Sequence, residues 1–160
     1  MVDEGVNVVL DRMTLDWRSA LDLLAAEGLA DTTRMAYIGM SMGTRFGLPV
    51  VAAAGDRMQC AVFGKFGLRQ APPAPPELEV PERVLREAAE IGVPVLFHVP
   101  WDDEVFPRDS QFPVFDAFAS AEKELIAVTG RHAEDKPTAV ARWREFIVRH
   151  LGSNESVGES

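Results

Sequence analysis

Four short, mostly apolar runs, residues 35–39, 60–63, 94–99 and 125–128, alternate with segments of helical spacing along the 160-residue chain. A strand that is apolar on every residue must be buried on both faces. Such strands, separated by helices, predict a parallel sheet with helices packed on each side. We therefore expect an α/β domain of about four parallel strands over residues 1–152, followed by a disordered polar tail at 153–160. In sheets of this kind, ligands and reactive groups gather beyond the carboxyl ends of the strands. The residues to inspect are those that follow each run.

The helical segments can be placed from spacing and end signals. Trp17, Leu21, Leu24 and Gly28 fall on one helical stripe, with Thr14 or Asp16 as cap and Gly28 as the left-handed stop. That stripe is expected to face the sheet, and the apolar residues 6–10 ahead of it read as a frayed strand or an entering chain. Residues 42–54 read as a helix that follows the first run directly, with Pro49 as a misfit that should bend it. The segment carrying Pro72, Pro73, Pro75, Pro76 and Pro81 reads as an extended surface connection. Further helices are expected over 82–91, with Val84, Leu85, Ala88 and Ile91 inward, and over 109–119, with Phe112, Phe115 and Phe118 inward. The last helix opens at Pro137, carries Val140, Trp143, Ile147 and Leu151 as its stripe, and stops at Gly152.

Charge and cysteine content exclude several functions. Twenty-five acidic residues against 16 basic ones give a net charge of -9, and the basic residues form no cluster, which argues against nucleic acid as a partner. The single cysteine, Cys60, cannot close an internal disulfide, and the first residues lack the pattern of a secretory signal, so a cytoplasmic location is expected. No run reaches the roughly 18 apolar residues that span a bilayer.

Gly39-Met40-Ser41-Met42-Gly43 stands between the first sure strand and the helix after it. Small residues two positions either side of a serine let the chain turn sharply and expose the hydroxyl at a helix N-terminus, which marks Ser41 as a nucleophile. A serine hydroxyl is a weak nucleophile at neutral pH, so it needs a base and a carboxylate to orient that base. After the third run comes Trp101-Asp102-Asp103-Glu104, and after the fourth comes Gly130-Arg131-His132. The order is serine, acid, histidine, each beyond a strand end. The plain alternatives are a helix-capping serine, a solvated acidic turn and a capping histidine.

These residues resemble the carboxyl-terminal part of an α/β-hydrolase. The pentapeptide around Ser41 corresponds to the nucleophile elbow, Asp103-Glu104-Val105-Phe106-Pro107 to the acid loop, and Gly130-Arg131-His132 to the histidine loop, over a stretch running from Trp17 to Leu151. The absence of an inserted lid is similar to the dienelactone-hydrolase-like and small serine esterase branch, although serine stands where dienelactone hydrolases have cysteine. The resemblance implies a serine hydrolase with Ser41, Asp103 and His132 as its triad and the Met42 N–H as an oxyanion donor. Asp102 is the alternative acid.

The resemblance also implies that residues 35–39 are the fifth strand of the fold, so the N-terminal strands and the loop giving a second oxyanion donor are missing. One missing donor costs about 3 kcal/mol of transition-state stabilisation. It also leaves an open edge at which a second copy or another chain could pair. We therefore expect a truncated hydrolase acting on a small ester or acyl substrate without a cofactor or metal, with no nucleic-acid or membrane partner. An acyltransferase using the same triad and a non-catalytic interaction module are the alternatives. His98 reads as a hydrogen-bonded strand-end residue, His150 as a helix-end charge, Cys60 as a small buried hydrophobe and Glu104 as a surface residue. Arg45 and Lys65 read as solvated charges or contacts to an anionic substrate. A metal held by His98, Asp102, Asp103 and His132 lacks a recognised ligand spacing.

Overall fold

The computed structural model describes residues 5–74 and 79–152. Pro75, Pro76 and the tail at 153–160 lie outside these. Four strands, β1 (Met35–Ile38), β2 (Met58–Gly64), β3 (Val95–Pro100) and β4 (Lys123–Val128), pair in that order, and every pair is parallel. Five α-helices accompany them: α1 (Val6–Ala26), α2 (Met42–Ala54), α3 (Pro81–Ala89), α4 (Arg108–Ala117) and α5 (Pro137–Gly152).

Side chains of the central strands point alternately to two cores. Ala61, Phe63, Val95, Phe97 and Val99 pack with Leu48 of α2, Val84 and Ala88 of α3 and Val114 of α4. Cys60, Val62 and Leu96 meet Ala139, Trp143 and Phe146 of α5 on the opposite face. The sheet is parallel as the apolar runs require, with every strand delivering its carboxyl end to one rim, but only the central β2 and β3 are buried as expected, while β1 and β4 at the two edges are half-buried. The buried face of α5 is centred on Ala139, Trp143 and Phe146, while Val140, Ile147 and Leu151 are half-buried at its border.

The first helix departs most from the sequence reading. It begins at Val6, so residues 6–10 are its first turns and not a strand, and Thr14 lies within it, donating its hydroxyl to Leu10 O at 2.8 Å. Gly28 has φ 65 and closes the helix, with Gly28 N–H bonded to Ala25 O and Leu29 N–H to Leu24 O. Its apolar stripe does not cover the sheet. Only Val6 and Leu10 are buried, whereas Trp17 is 51% and Leu23 61% exposed. The N-terminal half is instead tied to α3, where the Arg83 guanidinium meets Asp11 at 2.8 Å and donates to Asn7 O at 3.0 Å.

β1 is an edge strand. A groove of about 420 Å³ runs along it, lined by Trp17, Leu21, Met35, Ile38, Val50 and Met58 among others, and Ile38 is 50% exposed. Unpaired strand edges flanked by apolar side chains favour association with another chain.

Two prolines fall in helices, one of them against expectation. Pro81 is the first residue of α3, where its missing N–H would have no helical acceptor anyway, so it belongs to a helix and not to the extended connection. Pro49 sits buried inside α2, which continues through it to Ala54.

Gly47 fixes how α2 lies on β1. A Cβ there would fall inside the Tyr37 ring, whose hydroxyl donates to Gly43 O at 2.7 Å. The ring thus crosses the helix where only glycine leaves room. Gly47→Ala is expected to lower unfolding free energy by about 1–3 kcal/mol, read as a shift in urea midpoint at unchanged slope.

Candidate active site

The turn from β1 into α2 is set by main-chain bonds to the end of β2. Gly39 N–H donates to Val62 O and Ser41 N–H to Gly64 O, both at 2.9 Å, extending the β1–β2 ladder past the last strand residue. Beneath it the buried Thr44 Oγ1 accepts from Gly64 N–H at 2.9 Å and lies 2.8 Å from Gly39 O and 2.7 Å from Gly64 O. Gly39 has no room for a side chain, since a Cβ would stand 2.7 Å from the Gly43 backbone. Ser41 itself has φ 55, a left-handed conformation unfavourable for any residue but glycine. Such strain costs on the order of 1–3 kcal/mol and persists only where the surroundings over-determine it. Here the bonds of Gly39, Ser41 and Thr44 do so, and the serine is presented at the first turn of α2. Met42 is the first residue of that helix, where the N–H has no helical acceptor.

Beyond β3, the Asp103 carboxylate is fully buried and accepts four hydrogen bonds. Oδ1 receives Val105 N–H at 2.9 Å and Phe106 N–H at 2.8 Å, Oδ2 receives Gln111 Nε2 at 3.2 Å, and His132 Nδ1 lies 3.0 Å from Oδ1. Burial raises the pKa of this carboxyl, but the hydrogen bonds from His132, Phe106 and Val105 outweigh it and hold it below the ordinary carboxylate value. Asp103 is therefore ionised at neutral pH.

His132 closes the set. Its Nε2 is 2.9 Å from Ser41 Oγ while Nδ1 faces Asp103, and the Phe106 ring lies against it with centroids 5.8 Å apart. Residues from three loops, 91 and 29 positions away from each other in sequence, thus form one chain of hydrogen bonds. Asp102 is exposed and bonded through its backbone to Gly130 O. The geometry puts Asp103, not Asp102, against the imidazole.

Two other residues stand differently from the sequence reading, and a third gains a partner. Glu104 lies at the surface as read, and its Oε2 accepts the His132 N–H at 2.9 Å. Lys65 and Arg45 are buried charges and not solvated ones. Lys65 Nζ bonds the histidine loop, and Arg45 lies under the Phe66 ring, 5.7 Å from its centroid. The sequence signal available for Lys65 was its place directly after β2, the same position relative to its strand that drew attention to the other loops.

His98 is buried within β3, 2% exposed, edge-on to Trp143 with centroids 5.2 Å apart. Its Nδ1 has no hydrogen-bond partner among the described residues, contrary to the hydrogen-bonded role expected of it. Cys60 is fully buried, and burial pushes its thiol up to about 11, so it stays protonated. Among the described residues no cluster of three His, Cys, Asp or Glu side chains has the geometry of a metal site, and no helix is long and apolar enough to cross a membrane.

No protein-family model matches the sequence, and no curated protein does. Solved structures do. A cold-adapted esterase from an Arctic intertidal metagenomic library superposes in its zinc-bound form with TM-score 0.73 at 29% identity, over 88% of this chain and 59% of the esterase. Its PEG-bound complex gives 0.72 at 30% identity, over 87% and 55%. The acetyl xylan esterase of Paenibacillus sp. R4 superposes with TM-score 0.68 at 19% identity, over 86% of this chain and 52% of the enzyme, a likeness of fold alone. The chain therefore has part of the α/β-hydrolase fold. It spans a little over half the length of the esterases it resembles.

His98 gives the site a measurable pH signature. Burial, aided by the Lys65 charge, pushes it down from 6.5 to about 4. The unfolded chain then binds a proton that the folded one refuses between those values, so stability falls as pH drops from 6.5 to 4 and this group contributes no further change below. The expected loss is on the order of 3 kcal/mol. In His98→Leu, urea midpoints measured across that range should fall less steeply than in the wild type.

Proposed function

We propose that this chain is the carboxyl-terminal part of a serine hydrolase that cleaves carboxylic esters or related acyl compounds. The observation that carries the reading is the unbroken hydrogen-bond chain from Ser41 Oγ through His132 to the buried Asp103 carboxylate. The likeness to esterases at 29% and 30% identity supports it.

In this reading His132 Nε2 accepts the Ser41 proton as Oγ attacks the carbonyl carbon. Asp103 holds the imidazole with its proton on Nδ1 and stabilises the imidazolium that forms. The developing oxyanion meets the Met42 N–H at the start of α2, where the helix dipole also favours negative charge. His132 then returns the proton to the departing alcohol oxygen, leaving an acyl-serine. A water, deprotonated by the same nitrogen, attacks the acyl carbon, the bond to Ser41 Oγ breaks as His132 returns that proton to Oγ, and the acid is released. Every proton taken is given back, so the chemistry calls for no cofactor.

The open β1 edge and the share of the esterases spanned support the further reading that strands N-terminal to β1, with their second oxyanion donor, are not among these 160 residues. Hydrolysis by the chain alone is then slow. The buried, unpaired Cys60 suits a reducing compartment such as the cytoplasm. The open edge also favours a second reading, in which the chain pairs along β1 with a copy of itself or another chain and has no catalytic role.

A fluorophosphonate probe separates the two. Labelling of the wild type, abolished in Ser41→Ala and slowed at least about a thousandfold in His132→Ala, is expected for the hydrolase. A folded chain that takes no label, together with a dimer on size-exclusion chromatography, is the outcome that favours the pairing reading.

A further inference from the structure

The residue that follows β2 carries two unfavourable features at once. Lys65 has φ 52, where glycine would sit without strain, and its side chain is only 5% exposed, so an ammonium is withdrawn from water. A residue held against both costs is held there by what its side chain does.

The ammonium of Lys65 spends all three of its donors on one loop. Nζ donates to His132 O at 2.8 Å, to Glu134 O at 3.1 Å and to Asp135 Oδ1 at 2.6 Å. That loop, between β4 and α5, has no regular secondary structure of its own to fix it. On its other side Glu104 Oε2 receives the His132 N–H. The two peptide groups flanking the His132 Cα are thus gripped separately, the carbonyl by Lys65 and the amide by Glu104, before the imidazole meets Asp103 or Ser41. Lys65 is in turn registered to the sheet through its own N–H, bonded to His98 O at 2.9 Å.

Building on the serine-hydrolase reading, we infer that Lys65 is a positioning residue for the base: its buried ammonium fixes the His132 backbone at the height where Nε2 reaches Ser41 Oγ. Placement errors of about 1 Å in a reacting group can cost on the order of a hundredfold in rate, and without this clamp two carbonyls and a carboxylate lose their shared donor. The effect falls on proton transfer and not on substrate binding, since Lys65 lies beneath the loop and points at its backbone.

Two substitutions test this from opposite sides of the backbone strain. Lys65→Met keeps the strained φ and removes the ammonium, whereas Lys65→Gly removes both. For both variants, fluorophosphonate labelling of Ser41 and kcat on p-nitrophenyl acetate should fall by about ten- to a hundredfold with KM nearly unchanged, although their melting temperatures differ. The downfield proton resonance of the His132 Nδ1–H facing Asp103 should broaden or vanish in both. A purely structural tie predicts instead that rates measured well below melting stay at the wild-type level with the resonance intact, and that result overturns the inference. If the wild type itself takes no label, the hydrolase reading fails. The resonance then decides the positioning by itself, and its persistence in Lys65→Met refutes it.

Discussion

The bond from Ser41 N–H to Gly64 O is the contact on which the site depends, because it lets the β1–β2 ladder continue one step beyond the strand and into the turn. A left-handed serine is unfavourable in isolation. It becomes tolerable when its amide, the Gly39 amide and the Thr44 hydroxyl are all committed to the last residues of β2. Parallel pairing then does the rest: β3 and β4 run in register beside β2, so the loops carrying Asp103 and His132 emerge on the same rim. The meeting of these three side chains is thus a property of strand direction before it is a property of the side chains themselves.

The rim is wired together by buried charge as well as by main chain. Asp103 draws on two backbone amides, Gln111 and His132, which is why a carboxylate can sit out of water there without becoming protonated. Lys65 plays the reciprocal part for the histidine loop, spreading a positive charge over two carbonyls and a carboxylate. Each ion is satisfied by groups of fixed direction, so neither depends on the other for its solvation.

Much of this was legible in the chain. The four apolar runs, the helix directly after the first, and the glycines around Ser41 specify the sheet and its sharpest turn, because continuous burial and close backbone approach restrict residue type strongly. The order of Ser41, Asp103 and His132 beyond β1, β3 and β4 could be read because reactive groups of such sheets gather past strand carboxyl ends. What escaped was set by long-range partners. The bonds of Glu104 and Lys65 to the histidine loop escaped because nothing nearby in sequence indicates that residues 132 to 135 come to meet them. The stripe on α1 looked like a sheet-facing surface because periodicity reports that a face is apolar, not what lies against it. Trp17 and Leu21 flank the bare side of β1 instead, and the helix is anchored through Arg83 at its far end.

That bare side belongs to the strand that leads into Ser41. Tyr37 of β1 sends its ring across Gly47 and its hydroxyl to Gly43 O, so the border strand and the helix bearing Ser41 are pinned together. The serine accordingly stands at the margin of the sheet, with its histidine and aspartate arrayed to one hand and Ile38 facing outward on the other. On the proposed reading, a cleft beside Ser41 is walled by this chain on the side of His132 and Asp103 and open along Ile38 on the other.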